Sequence, residues 1–183
     1  EIGRNLERIL FDSEVHSAAA ESQPRNSIRT RVLHVATRLY NVGGHTRLLK
    51  TWIQLDDIAE HSVVLTDQPT AEVPEWIAAT VAKSGGVFVH LNARNSLLER
   101  ARSLRRIAQS GYDALILHHH PSDVLPSVAF ATADCPPVAL MSHADHVFGL
   151  GPSAADVVLS VRGFGEEISK HRRFAKKNLL VPV

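Results

Sequence analysis

RVLHVATRLYNVGGHTRLL, Arg31 to Leu49, decides the fold. Arg31 to Thr37 is a β-branched, apolar run with His34 inside it, which predicts a strand. Asn41, Gly43 and Gly44 then break the chain, and from about His45 to Asp57 the apolar residues Leu48, Leu49, Trp52, Ile53 and Leu55 fall largely on one helical face. Strand, Gly-rich loop and helix in that order are the opening of a βαβ unit, because parallel strands need a helical crossover between them.

The alternation continues outward. His61 to Thr66 is a second apolar strand, Ala71 to Ser84 a helix stopped by Gly85 and Gly86, and Val87 to Leu91 a third strand. Asn95 to Ser110 carries Leu97, Leu98, Ala101, Leu104, Ile107 and Ala108 as a buried stripe, with Arg100, Arg102, Arg105 and Arg106 on a solvated face or at its rim. Asp113 to Leu117 is a strand, Ser122 to about Ala133 a helix delayed by Pro126, Val138 to Ser142 and Asp156 to Val161 strands, Glu166 to Arg173 a helix, and Asn178 to Val183 a last strand. Continuous apolar strands mean burial on both faces, so the fold class is α/β, with a mostly parallel, doubly wound sheet of about seven strands and helices on both sides. Residues 1–29 lie outside this pattern: Glu1 to Ala20 has helical spacing and Glu21 to Arg29 is polar, which predicts a helical arm and linker ahead of a domain over 30–183.

Composition narrows the partners. Among 183 residues, twenty Lys+Arg face nineteen Asp+Glu, so no basic excess marks a nucleic-acid surface. No apolar run approaches the roughly 20 residues that span a bilayer. The single cysteine, Cys135, excludes an internal disulfide and, with no secretory signal visible, agrees with a cytoplasmic setting. The chain starts at Glu1 and its only methionine is Met141, so the reading expects a piece of a longer polypeptide.

In open parallel sheets ligands sit beyond the carboxyl ends of the strands, and three loops there are chemically unusual. Asn41 to Arg47, NVGGHTR, joins two glycines to a helix start and adds His45 and Arg47, a setting for a phosphate or a sugar hydroxyl. It is neither G-x-G-x-x-G nor G-x-x-x-x-G-K, and tight-turn geometry alone would also explain the glycines. His118 to Asp123, HHHPSD, offers three histidines whose side chains diverge at a strand end, so that one or two face the crevice as general base or hydroxyl ligand; Ser122 or Asp123 would cap the next helix. Ser142 to Gly151, SHADHVFGLG, holds His143, Asp145 and His146. These histidines could hold a metal, although the H-E-x-x-H spacing is absent, or form a structural polar network. His34 and His90, inside strands, read as partly buried structural residues.

Taken together, RVLHVATRLYNVGGHTRLL, DALILHHHPSD, MSHADHVFGLG, ADVVLSVRGFGEE and NLLVPV resemble, in that order, the N-terminal half of bacterial GT-B glycosyltransferases of the retaining, sugar-nucleotide-dependent type, over about Arg31 to Val183. The resemblance implies a Rossmann-like acceptor-side domain that faces a donor-binding C-terminal domain across a cleft. It implies that Gly43 and Gly44, with His45 and Arg47, lie near the donor diphosphate, that one of His118, His119 and His120 lies near the reacting sugar, and that His143, His146 and Arg162 line the cleft. The implied partners are a nucleotide-sugar co-substrate, an acceptor that is a sugar, a lipid-linked group or a protein, and the C-terminal domain, without which these residues do not catalyse; no metal or other cofactor is required. The arm of residues 1–29 would serve docking or homo-oligomerisation. Two other readings stand beside this one, a free-standing Rossmann-like binding or interaction module and a small metal-dependent hydrolase built on the His/Asp cluster.

Overall fold

A computed structural model describes residues 29–131, 134–172 and 175–181. The expected N-terminal arm and most of its linker lie outside the described residues, as do Ala133, Arg173, Pro182 and Val183. Seven strands form one sheet: β1 (Thr30–Ala36), β2 (Ala59–Leu65), β3 (Phe88–His90), β4 (Ala114–His118), β5 (Val138–Ser142), β6 (Val157–Ser160) and β7 (Asn178–Leu180). Their order is β3-β2-β1-β4-β5-β6-β7 and every pairing is parallel. The fold is therefore α/β, doubly wound and Rossmann-like, and the expectation of a mostly parallel sheet is met by one that is wholly parallel.

The helices between strands are α1 (Gly44–Leu55), α2 (Glu75–Ser84), α3 (Leu97–Gln109), α4 (Leu125–Phe130) and α5 (Gly163–His171). Strand alternation decides what each helix covers, since neighbouring residues point to opposite faces. Ala36, Val63 and Leu65 meet Leu49 and Ile53 of α1 and Ile77 and Val81 of α2 on one face. Leu33, Val35, Val64, Leu115 and Leu117 meet Ala101, Leu104 and Ala108 of α3 and Leu125 and Ala129 of α4 on the other.

Local chemistry sets the boundaries. α3 starts at a capping box, Ser96 Oγ accepting from the Glu99 amide while the Glu99 carboxylate accepts from the Ser96 amide. α2 starts at Glu75 rather than Ala71, because Pro74 supplies its extended entry and residues 70–72 form a separate 3₁₀ turn. α4 is the shortest of these five helices, delayed to Leu125 with Pro126 in its first turn. α5 begins three residues before the expected Glu166, entered from an extended Arg162. Among the described residues no helix is long and apolar enough to cross a membrane.

Candidate functional site

The strand order reverses between β1 and β4: from β1 the chain winds outward to β2 and β3, and from β4 to β5, β6 and β7. The two loops leaving such a pair diverge and open a crevice, the usual ligand position in this architecture. A cavity of about 950 Å3 lies there, lined among others by Thr37, Arg38, His45, His118, His120, Asp123, His143 and His146. The sequence places its candidate chemistry at this end of the sheet, and the fold brings five of the candidate histidines to one cavity.

The three consecutive histidines part company. His118 is the last residue of β4, not the first of a loop, and points to the α1 face, where it lines the cavity floor. His119 points to the opposite face and packs beneath Gly151, where an added Cβ would come within 2.5 Å of its ring. His120 is exposed on the rim, its amide donating to Thr37 Oγ1 and its Nδ1 lying 2.8 Å from Ser122 Oγ. Burial, then the neighbouring His143, pushes His118 down to about 3, and burial pushes His119 down to about 4. Both are neutral at pH 7, so His118 meets the cavity as a hydrogen-bonding imidazole and not as a cation.

The other candidates divide between two places. His45 stacks on His143, with ring centroids 5.6 Å apart, and Nε2 of His45 lies 3.0 Å from the Arg38 carbonyl oxygen. Burial, then His45, pushes His143 below its ordinary value. His146 is exposed and 3.8 Å from Asp145. Arg162 does not line the cavity; its guanidinium donates to the buried Asp145 at 3.1 Å, which pins the His143–His146 loop to the start of α5. Gly44 and Arg47 line a second groove of about 1250 Å3 beside α1, together with Leu48, Trp52, Leu55 and Ile58. Gly43 precedes the helix at φ 156°, a conformation that disfavours a side chain. No side chain caps α1, and its first turn carries no acidic residue. Its opening N–H groups are thus a positive helix terminus suited to an anion.

Several groups that build the site escape notice in the sequence. Asp123 does more than cap α4. Its carboxylate accepts from Thr37 Oγ1 beyond β1 at 2.8 Å, from Thr66 Oγ1 beyond β2 at 2.6 Å, and from the Leu125 amide at 3.0 Å. It ties three strand ends together under the cavity. Asp123→Ala should cost about 2 kcal/mol, since donors to a charged acceptor lose their partner; a lowered urea midpoint with unchanged slope would register it. Arg100 and Arg105 depart from the expected solvated face. Arg100 turns into the cavity, donates to the Thr66 carbonyl and lies 3.8 Å from Asp67, which also pairs with Arg38 at 3.0 Å. Arg105 donates to the Ala129 carbonyl at 2.8 Å and holds α3 against α4. Among the described residues no three His, Cys, Asp or Glu side chains gather in a way that could hold a metal ion.

His34 is likewise more than a packed strand residue. It is fully buried, with Nδ1 3.0 Å from His118 Nε2 and Nε2 2.9 Å from His61 Nδ1. Trp52 of α1 lies edge-on to both His34 and His118 and closes the row.

A scan of the chain against models of known protein families finds no match, and no curated protein matches it.

Proposed function

We propose that residues 30–183 are the acceptor-side half of a glycosyltransferase that moves a sugar from a nucleotide-sugar to an acceptor, completed by a donor-binding domain beyond these residues. The supporting observation is the cavity at the β1/β4 reversal, where a neutral histidine, His118, forms the floor and His45 connects it to the uncapped start of α1. A sugar needs several hydrogen-bonding groups, which the neutral His118 supplies together with His120 and Ser122. A diphosphate leaving group needs fixed N–H dipoles, which the first turn of α1 supplies without reorganising. Arg38 and Arg100 lie on either side of Asp67 at the cavity.

The test uses the full natural polypeptide, assayed for transfer from a panel of nucleotide-sugars, with product stereochemistry reporting retention or inversion. Gly44 provides the control. An added Cβ there meets nothing within 4 Å, so a bulky side chain such as Leu should leave stability intact while it crowds the helix start. Transfer should fall by about 100-fold or more if the diphosphate sits there; unchanged transfer would remove that role from Gly44. The groove beside α1, with Leu55 and Ile58 largely exposed, favours a second reading, a module that docks a protein without catalysis. A natural polypeptide close to 20.1 kDa would support that reading over the transferase.

A further inference from the structure

The buried histidines form a row with a direction. In the parallel register Val32 pairs with His61, His34 with Val63 and Ile116, and Ala36 with His118. His61, His34 and His118 therefore climb one face diagonally, two residues per strand, from the middle of β2 to the carboxyl end of β4. Their rings are 5.2 Å apart at each step. At the lower end His61 Nε2 is 3.3 Å from Asp56 Oδ2, within ion-pair range though outside hydrogen-bond geometry. At the upper end His118 lines the cavity, and its Nδ1 is buried with no hydrogen-bond partner among the described residues.

A neutral imidazole has one N–H and one lone pair, so each link in such a row fixes the next. The Asp56 carboxylate only accepts, and it repels a lone pair placed opposite it. His61 then carries its proton on Nε2 and receives from His34 at Nδ1. His34 carries its proton on Nε2 and receives from His118 at Nδ1. His118 carries its proton on Nε2, which leaves a lone pair on the unpartnered Nδ1 of a residue that lines the cavity. We propose that Asp56 acts through His61 and His34 as a positioning residue that sets the tautomer of His118, so that the cavity floor presents an acceptor and takes a hydroxyl or N–H donor of its ligand, not a phosphate or carboxylate oxygen. Burial disfavours the charged form of His34, His61 and His118 alike, which keeps the row neutral and the direction intact. The inference rests on this geometry and is independent of glycosyl transfer, and the test below reads tautomers, so the two can fail separately.

Asp56→Asn reverses the row. Oδ1 of Asp56 is held as an acceptor by the amides of Ile58 and Ala59 at 3.3 and 3.2 Å, so the asparagine NH2 takes the position of Oδ2 and turns positive N–H dipoles toward His61 Nε2, which favours a lone pair there. Each histidine must then shift its proton to the other nitrogen, and His118 presents Nδ1–H to the cavity. Long-range 1H–15N correlation spectra of the labelled 183-residue chain read this directly. The expected result is Nε2–H on His118 in the unsubstituted chain and Nδ1–H in the variant. A second background, His34→Leu, removes the middle link, and there Asp56→Asn should leave His118 unchanged. Nδ1–H on His118 in the unsubstituted chain would overturn the proposal, as would an Asp56→Asn spectrum with His118 unmoved. A response that persists without His34 would also overturn it, since Asp56 would then act through space. If a variant fails to fold, Nδ1–H on any of the three histidines of the unsubstituted chain still overturns the proposal, and Nε2–H on all three supports it.

Discussion

Acidification from pH 7 to pH 5 should remove about 4 kcal/mol of stability through His118 and His119 alone. Their folded values, about 3 and about 4, lie below the 6.5 of an unfolded histidine. The folded state binds fewer protons than the unfolded chain everywhere between those values. Stability is thus complete above about pH 6.5, declines as the pH falls below it, and goes on declining until the folded groups themselves protonate near pH 4 and pH 3. Each group contributes about 1.36 kcal/mol per pH unit over that range, hence roughly 2 kcal/mol each at pH 5.

The effect is large because domains of this size have only about 5–15 kcal/mol in total. His34, His61 and His143 are shifted the same way, each chiefly by burial, and add to the slope. Urea unfolding at pH 7, 6 and 5, followed by circular dichroism, would register it as a falling midpoint. A midpoint unchanged from pH 7 to pH 5 would mean that these histidines keep access to water or to a proton-accepting partner. Replacing His119 with an apolar residue should flatten part of the slope, because His119 lies on the opposite face from the His118 row and is not one of its links.

How much of this was legible in the sequence depends on the range of the interaction concerned. Strand positions and the parallel sheet follow from apolar runs and breakers, which are local, and each of the seven strands lies within a few residues of its expected place. The division of His118 from His119 follows from the alternation of a strand once β4 is extended by one residue. The row from Asp56 to His118 was not legible. Its members are dispersed over 85 positions, from His34 to His118, and only the register that puts Val32 beside His61 and Ala36 beside His118 brings the rings together. Asp123 and Arg100 escaped for a related reason: the donors and acceptors they meet, Thr37, Thr66 and Asp67, lie on loops that converge only because β1, β2 and β4 are neighbours.

Gly86→Ala should be the most damaging single methyl group that can be added at the α2–β3 turn, at about 3 kcal/mol or more. Two adjacent glycines end α2 for different reasons. Gly85 takes φ 95°, the left-handed cap, and an alanine there would meet only Cγ of Glu60 at 3.7 Å, an ordinary contact. Its cost is the backbone conformation, about 1 kcal/mol. Gly86 carries no such requirement, but a Cβ on it would collide with the backbone carbonyl of His61 and approach the Ser62 amide at 2.9 Å. Backbone in the middle of a sheet cannot swing aside as a side chain can. β3 would have to retreat from β2, which breaks the bond from the Val63 amide to the Val87 carbonyl, 2.9 Å, and the one from the Val87 amide to Ser62 Oγ, 3.0 Å. The displaced carbonyl belongs to His61 itself, so the damage reaches the base of the histidine row. Paired urea titrations of Gly85→Ala and Gly86→Ala would test the distinction. Equal losses would mean that β3 yields without strain, and that the second glycine of the pair serves the helix cap and not the close approach of the two strands.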